Sequence, residues 1–444
     1  MTHKTTRRHF LKSTAAAGAG VMIMKDLLAQ ESPNEKVAFA SVGLGGKGTS
    51  DSGDAANFGE MVAVCDTNRH QLRGAESRFE NAKPYEDYRV MFDEMGDKID
   101  AFTVSTSDHM HGIISAHGML LGKHCFTQKP LTRTIYEARR LGEIAREKNL
   151  VTQMGNQGSA DSGLREQAAL LRAGVLGNVK EVIIWTDRPI WPQGVPRGEP
   201  LEVPEYLNWE CWLGVAPHRP FSHNYDPFAW RGWWDFGTGA LGDIACHSTN
   251  MPFSGLEMTN LEWVQATTSG HDFDFFPKWS VVEFGFAANA WRPELKYTWM
   301  DGGQRPSPEL MDGQKPGDGG ILILGEKGKF IPGRGFTGIS QDELQAFREK
   351  VDYPRSHGHF AEFVQAIKEN TPSTCWSNFP DHAGPLTEIV LAGNLAVWGA
   401  SEPEQAGPRV EWDVKTMSIT NDPPDKQRME ALVKPTFYNG YELF

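Results

Sequence analysis

Cysteine is scarce in this chain, and the five that occur are scattered along it. No two of them are spaced as Cys-x-x-Cys, which excludes a zinc ribbon and a thioredoxin-like redox motif. We expect free, buried thiols rather than a disulfide framework. The residues concerned are Cys65, Cys125, Cys211, Cys246 and Cys375.

Long apolar runs and clusters of basic residues are also missing. The longest uncharged stretch near the start, Ser13–Met24, is too short to span a bilayer. Because the net charge is −13 and no run rich in Lys or Arg follows the first residues, we expect no nucleic-acid partner. The length of 444 residues predicts two or three domains with a sizeable core.

The first residues have the features of an export signal. Arg7-Arg8 precedes Phe10-Leu11-Lys12 and an uncharged Ala/Gly stretch, the pattern typical of twin-arginine transport. Ala29 offers a small residue for cleavage, so residues 1–29 are predicted to be a signal peptide. The twin-arginine translocase would then be a partner, and the protein periplasmic or otherwise exported. The alternative is a cytosolic N-terminal helix with a chance arginine pair.

A dinucleotide-binding motif follows this leader. Val37–Val42 reads as a short buried strand, and Gly43, Gly45 and Gly48 after it form G-x-G-x-x-G. The first glycine permits a tight turn, the second lets a pyrophosphate approach the backbone, and the third lets the next helix pack closely. The helix N-terminus supplies amide donors for the phosphates.

An acid in the expected place strengthens this interpretation. A second apolar strand, Met61–Cys65, ends at Asp66, about 20 residues beyond the glycine loop. A carboxylate there accepts hydrogen bonds from the adenosine ribose and repels a 2′-phosphate. We therefore expect NAD as the cofactor and consider NADP less favoured, although the nearby Arg69 is a cation that suits a phosphate.

Alternating strands and helices continue beyond Asp66 and predict a parallel, doubly wound Rossmann sheet. We assign this nucleotide-binding domain to residues 34–156. The predicted elements are strand Asp100–Thr106, helix Ile113–Leu121, strand His124–Thr127, helix Thr132–Asn149 with Thr132 or Thr134 as its cap, and strand Leu150–Met154.

Five segments follow one another in the order GLGGKG, Asp66, STSDHMH, GKHCFTQKP and GTGALGDIACH. In these segments the chain resembles the Gfo/Idh/MocA oxidoreductases, the family of glucose–fructose oxidoreductase and inositol 2-dehydrogenase, over nearly all of its mature length. The family usually carries Glu-Lys-Pro where this chain has Gln128-Lys129-Pro130. An amide at position 128 can form hydrogen bonds, but it cannot carry the charge.

The resemblance implies a second α/β domain with a large, open, mainly antiparallel sheet, which we assign to residues 157–420. Strand-like runs fit it at Val179–Trp185, Leu261–Ala266, Val281–Phe286 and Ile321–Leu324, with late helices at Phe360–Glu369 and Pro385–Trp398. The aperiodic tail after Ala400 is read as an extended arm, assigned to residues 421–444. A homo-oligomer, dimer or tetramer, is expected by analogy alone.

Tryptophans crowd one part of this second domain. Their faces suit the C–H faces of sugars, but they can equally be core or subunit-interface residues. They are Trp185, Trp191, Trp209, Trp212, Trp230, Trp233 and Trp234.

Three residues are predicted to be catalytic. Lys129 follows a strand end, where doubly wound folds place ligands, and can polarise a hydroxyl or act as base. Asp243 and His247 are four residues apart, so on a helix they share a face. His247 is a proton carrier near neutrality, which Asp243 can orient. In the family, the matching Lys, Asp and His carry these roles. A surface pair, or a metal site completed by His109 and His111, is the alternative; we expect no metal.

Further residues are predicted to lie along the cofactor, and Arg231 is predicted to meet either cofactor or substrate. They are Thr106, Ser107, His111, Gln128, Asn156 with its neighbour Gln157, and Arg231.

The predicted activity is NAD(P)-dependent oxidation of a secondary hydroxyl on a sugar or sugar derivative. Because an exported enzyme meets little free nucleotide, we expect a tightly bound cofactor and a redox-neutral cycle. Two alternatives remain. One is an NAD-dependent glycosidase that oxidises transiently and eliminates, and the other is a nucleotide- or sugar-binding protein without turnover.

Overall fold

The computed structural model describes residues 36–225 and 228–442. The predicted signal peptide therefore lies outside the described residues. Within the described part, none of the helices has both the length and the apolar character needed to cross a membrane.

The first domain is a six-stranded, wholly parallel sheet with helices packed on it, which confirms the Rossmann prediction. Its strand order is β3-β2-β1-β4-β5-β6. In chain order the elements are β1 Val37–Val42, α1 Lys47–Phe58, β2 Gly59–Cys65, α2 Arg69–Glu76, β3 Lys83–Tyr85, α3 Tyr88–Met95, β4 Ala101–Val104, α4 Asp108–Leu120, β5 His124–Thr127, α5 Ile135–Glu147 and β6 Thr152–Met154.

Local sequence explains these elements. The strands β1 and β4 are short apolar runs buried on both faces, as parallel strands covered by helices must be. Helix α5 begins where expected, because the Glu137 carboxylate accepts hydrogen bonds from the backbone N–H and the hydroxyl of Thr134. Helix α4 begins five residues earlier than predicted, at Asp108, which is buried despite its charge.

The second domain is built on a nine-stranded sheet, as predicted. Its strand order is β13-β12-β11-β7-β10-β9-β8-β14-β15, and β7 pairs with β10 in parallel while the other pairs are antiparallel. The elements are α6 Ser162–Arg172, β7 Val179–Thr186, α7 Trp209–Leu213, α8 Gly239–Ser248, α9 Asn250–Leu256, β8 Leu261–Thr268, β9 Ser280–Phe286, β10 Leu295–Met300, β11 Gly319–Gly325, β12 Lys329–Ile331, β13 Gly335–Thr337, α10 Gln341–Arg348, α11 His359–Glu369, α12 Gly384–Gly399, β14 Val410–Asp413, β15 Ser418–Ile419 and α13 Lys426–Val433.

One helix joins the two domains. Helix α12 is apolar and buried along almost its whole length, which is expected of a helix enclosed on all sides. It contacts α5 of the first domain and both α8 and β8 of the second. The two domains therefore share one continuous hydrophobic core.

The tail differs from the extended arm that the sequence suggested. After Ala400 the chain adds β14 to the edge of the large sheet, and α13 then packs on α12 and α5. The residues after α13 return to the second domain, where Asn439 donates side-chain hydrogen bonds to the carbonyl oxygens of Gly214 and Ala216. Apolar residues that were too sparse for a periodic pattern, such as Met429, anchor this segment by full burial.

Candidate active site

A cleft of about 710 Å³ runs between the carboxyl ends of the first sheet and helix α8 of the second domain. Carboxyl ends of parallel strands are where open α/β sheets bind ligands. The glycine loop and Asp66 line one part of it, while Lys129, Asp243 and His247 line another. The fold thus brings the three predicted catalytic residues and most of the predicted cofactor-binding residues into one cavity.

The glycine loop has the shape that a dinucleotide needs. Gly43 has φ +82°, and a Cβ there would lie 2.5 Å from the carbonyl oxygen of Ser105. A Cβ on Gly48 would lie 2.1 Å from the carbonyl oxygen of Gly43, so this glycine lets α1 pack against the loop. Gly45 lines the cleft, and its neighbour Gly46 has φ +52°. A Cβ added at Gly46 would meet no atom within 4 Å, so there is open space at the start of α1.

Asp66 is held by the backbone of the same loop. Its Oδ2 accepts a hydrogen bond from the Leu44 N–H at 2.7 Å, and its Oδ1 accepts one from the Asn68 N–H at 2.8 Å. Burial raises the pKa of the Asp66 carboxyl, and these two N–H donors partly offset that rise. Each carboxylate oxygen keeps further acceptor capacity, as ribose hydroxyls require.

Arg69, the cation that would suit the 2′-phosphate of NADP, is already paired with a carboxylate. Arg69 Nε lies 2.6 Å from Glu86 Oε1, and Arg69 Nη1 donates to the carbonyl oxygen of Glu205 at 2.9 Å. Glu86 and Asp87 themselves line the cleft. The wall near Asp66 is therefore acidic, which favours NAD over NADP.

An aromatic pair from distant parts of the chain lines the cleft. Tyr441 stacks on Tyr88 with ring centroids 6.5 Å apart, and the guanidinium of Arg89 lies 4.6 Å from the Tyr441 ring centroid. Both tyrosines line the cleft. The sequence contains no signal that would have placed Tyr441 here.

At the other end, a half-buried ion pair joins the two domains. Lys129 Nζ donates to Asp243 Oδ1 at 2.7 Å and to the Asp243 carbonyl oxygen at 2.8 Å, and Arg231 Nε donates to the same Oδ1 at 3.1 Å. Burial alone would raise the pKa of the Asp243 carboxyl, but the two cations outweigh it and hold that pKa below its ordinary value. Asp243 therefore stays ionised and fixes Lys129 in the cleft.

His247 is oriented by an amide beneath it. Asn156 Nδ2 donates to the carbonyl oxygen of Cys246, which turns Asn156 Oδ1 toward His247 Nδ1 at 2.8 Å. Since that oxygen only accepts, Nδ1 carries the proton and Nε2 keeps its lone pair. Burial and the nearby Lys129 lower the pKa of His247 to about 4, so the ring is neutral at pH 7. Asn156 is fully buried, so it orients His247 rather than lining the cleft.

The other predicted cofactor residues cluster at the ends of β4 and β5. Thr106, Ser107, His111 and Gln128 all line the cleft. Both ring nitrogens of His111 contact backbone carbonyl oxygens, those of Pro130 and Thr106, and burial lowers the pKa of His111 to about 4. His111 therefore connects the segment after β4 with the segment after β5 at the floor of the cleft.

Arg231 lies among aromatic rings on the side of the cleft formed by the second domain. Its guanidinium carbon is 4.2 Å from the Trp230 ring centroid, 4.8 Å from that of Phe228 and 5.9 Å from that of Trp191. Trp191, Trp212 and Trp230 line the cleft, while the other four tryptophans that were singled out lie outside its lining.

Asp108 is a site residue that the sequence reasoning missed. It lines the cleft, it is almost completely buried, and its Oδ2 accepts a hydrogen bond from the Thr238 hydroxyl at 2.6 Å. Burial raises the pKa of the Asp108 carboxyl to about 7. Its place in STSDHMH, next to His109, was the one available signal.

The histidines considered as metal ligands face the backbone. His109 contacts the carbonyl oxygens of Phe236 and Trp212 through its two ring nitrogens. Among residues 36–225 and 228–442, no group of three or more His, Cys, Asp or Glu side chains has an arrangement suited to a metal ion.

Together the glycine cradle, the acid Asp66 and the ion pair define a nicotinamide-nucleotide-binding protein with a Rossmann domain and a sheet-based second domain. Comparison with known families agrees. The Gfo/Idh/MocA oxidoreductase family, NAD-binding Rossmann fold, matches residues 37–156, and the C-terminal alpha/beta domain of the same family matches residues 170–375. The chain belongs to the Gfo/Idh/MocA oxidoreductase family, and NAD is its cofactor.

Individual relatives are distant. Levoglucosan dehydrogenase of Pseudarthrobacter phenanthrenivorans is 24% identical over 188 residues, which span 42% of this chain and only 40% of that enzyme. The WlbA dehydrogenase of Bordetella pertussis, in complex with NADH and UDP-GlcNAcA, superposes with a TM-score of 0.57 at 17% identity, covering 84% of this chain and 98% of that one. An inositol dehydrogenase homolog of Azotobacter vinelandii, complexed with NADH and myo-inositol, gives 0.56 at 16% identity, with 85% and 98% covered. These structures support the fold.

Proposed function

We propose that this protein is an exported, NAD-dependent oxidoreductase that oxidises a secondary hydroxyl of a sugar or sugar derivative. The observation that carries this proposal is the ion pair of Lys129 and Asp243, which lies with the neutral His247 in the same cleft as the glycine loop. A hydroxyl placed there meets a cation that polarises it and an imidazole that accepts its proton.

The residues divide the work as follows. Bound NAD⁺ would supply the acceptor for the hydride that leaves the carbinol carbon. Lys129, held by Asp243, polarises the hydroxyl oxygen, and the unprotonated Nε2 of His247 takes the hydroxyl proton. Asn156 keeps His247 in the required tautomer, and Arg231 shares the charge of Asp243.

A carbohydrate substrate is supported by the aromatic wall of Trp191, Phe228 and Trp230. Aromatic faces pack well against the C–H faces of sugar rings. Two of the proteins that share this fold are described in complex with UDP-GlcNAcA or myo-inositol, which are a sugar nucleotide and a polyol.

The twin-arginine pattern at Arg7-Arg8 supports export of the folded protein. An exported enzyme would retain its nucleotide and return it to its starting redox state in each cycle. The decisive measurement is mass spectrometry of small molecules released by denaturing protein purified without added nucleotide. Near-stoichiometric NAD(H) is expected; an empty protein that binds NAD weakly would argue against the retained-cofactor cycle.

The substrate class is tested with protein holding NAD⁺, mixed with aldoses, myo-inositol and levoglucosan while absorbance at 340 nm is followed. Reduction of the bound nucleotide is expected with at least one of them. Lys129→Ala and His247→Ala are expected to abolish this signal while NAD remains bound. Unchanged rates in both variants would overturn the site assignment.

An NAD-dependent glycosidase is the second candidate, and Asp108 is the observation that favours it. A carboxyl with a pKa of about 7, lining the same cleft as His247, gives that cleft a second acid/base group, which elimination and water addition would use. Release of the aryl alcohol from aryl glycosides, with no net NADH formed, would identify this activity. A protein that binds NAD but exchanges no hydride with any tested sugar would instead be a binding protein. The oligomeric state is a separate question, to be measured by light scattering.

A further inference from the structure

Asp51, on the helix that follows the glycine loop, is a carboxylate with no exposed surface. Its Oδ2 accepts a hydrogen bond from Gln128 Nε2 at 2.8 Å and another from the Ser105 hydroxyl at 2.8 Å. Its Oδ1 forms an ion pair with Lys47. A buried charge requires such compensation, and here three separate donors supply it.

All three donors line the nucleotide cleft, although Asp51 does not. Lys47 comes from the start of α1, Ser105 from the end of β4, and Gln128 from the end of β5 beside Lys129. Asp51 therefore contacts three segments of the cleft floor from the buried side. We expect its loss to weaken the positioning of all three segments.

The contact also fixes which way the Gln128 amide faces. An ionised carboxylate only accepts hydrogen bonds, so the NH₂ group of Gln128 must face Asp51 and the carbonyl oxygen is left over. Gly155 packs closely against this amide, since a Cβ there would lie 2.3 Å from Gln128 Nε2. Position 128 thus offers an oxygen acceptor, as the glutamate usual in this family would, but without its charge.

We propose that Asp51 supplies, from helix α1, a buried negative charge in place of a glutamate at position 128, and that Asp51 and Gln128 form one positioning unit for the nicotinamide nucleotide. Asp51 acts through Gln128, Ser105 and Lys47 and touches no ligand itself. The proposal rests on NAD binding and is independent of the sugar chemistry proposed above.

The charge can occupy only one of the two positions. A glutamate at 128 would bring a second carboxylate to hydrogen-bond distance from Asp51, and two such groups cannot both stay ionised. The remaining charges near Asp51 do not change this. Lys47 already pairs with Asp51, Asp54 is exposed one turn further along α1, and His359 of α11 is neutral because burial lowers its pKa to about 3.

The test is a charge exchange read out by NADH binding. Dissociation constants are measured by fluorescence titration for Asp51→Asn, Gln128→Glu and the double variant, with Asp54→Asn as the matched control on the same helix. Each single variant is expected to bind NADH about tenfold more weakly or worse, because a buried polar group is left mispaired. The double variant is expected to return to within about threefold of the wild type, because it restores one charge and one amide. Losses that simply multiply in the double variant would overturn the proposal.

A pH series separates positioning from general structural damage. Gln128→Glu is expected to regain affinity relative to the wild type as the pH falls from 8 to 5.5, because protonation of one carboxyl recreates the original pairing. A profile parallel to that of the wild type would contradict the proposal. Thermal melting without nucleotide is recorded for every variant. If Gln128→Glu does not fold, restored folding in the double variant supports the coupling, and a double variant that neither folds nor binds overturns it.

Discussion

We expect that two substitutions can reverse the choice between NAD and NADP. Asp66 presents a carboxylate at the cleft wall, and Glu86 pairs with the nearby Arg69 at 2.6 Å. Asp66→Ser removes the repulsion toward a 2′-phosphate, while Glu86→Gln releases Arg69 to meet that phosphate. We expect the double variant to prefer NADPH.

The size of the effect follows from the charges involved. A 2′-phosphate carries about −1.5 to −2 charges at pH 7. At a separation of about 5 Å and an effective dielectric of about 20, one pair of unit charges interacts by about 3 kcal/mol before screening by salt. Asp66→Ser should therefore raise the ratio of NADPH to NADH affinity by about a hundredfold. Release of Arg69 adds about threefold to fivefold, since the Glu86 pair is partly exposed.

Fluorescence titration with NADH and NADPH, at fixed ionic strength, measures this ratio without any substrate. Glu60→Gln is the matched control, because Glu60 is an exposed carboxylate at the opposite end of the same strand β2. A ratio in Asp66→Ser within about threefold of the wild type would refute the role assigned to Asp66.

Three further changes test the remaining site. Tyr441→Ala removes the ring stacked on Tyr88, and stopped-flow displacement should show NADH dissociating about tenfold faster; an unchanged rate would mean that this ring does not retain the nucleotide. Lys129→Met should lower single-turnover hydride transfer by about 10²- to 10⁴-fold while NADH affinity changes little, and a loss confined to NADH affinity would contradict a catalytic role. Asn156→Leu frees the His247 ring and should lower turnover with little change in substrate KM, which a variant with wild-type turnover would disprove.

Local sequence patterns predicted much of the fold. The run Val37–Val42 coincides with β1, because a short apolar segment before a glycine loop has few structural alternatives. Asp66 was placed by its distance from that loop, while Asp243 and His247 were identified by the family resemblance of their segment and put on one helix face by their spacing. For β1 and Asp66 the deciding interactions lie within one unit of strand, loop and helix, where sequence distance and spatial distance agree, whereas the partners of Asp243 and His247 come from distant segments.

The parts that the sequence did not reveal depend on contacts between distant segments. No sequence pattern near Gln128 indicates that its hydrogen-bond partner is Asp51, which lies 77 positions earlier. Asp108 was not singled out from the sequence, because the contacts with Thr238 and the second domain that bury it are distant in the chain. The tail seemed extended because its anchoring residues are widely spaced, and only the folded core shows what they contact.

The position of Tyr441 has a consequence for how this protein can be divided. A fragment ending near residue 156 would contain the complete Rossmann sheet, the glycine loop and Asp66, but it would lack the ring that covers Tyr88, some 350 positions later in the chain. The structural module and the nucleotide site therefore have different boundaries. Grafting the first domain onto another scaffold would transfer the glycine loop and Asp66 without Tyr441, and we expect a binding site of native strength only when both domains and the tail are in one chain.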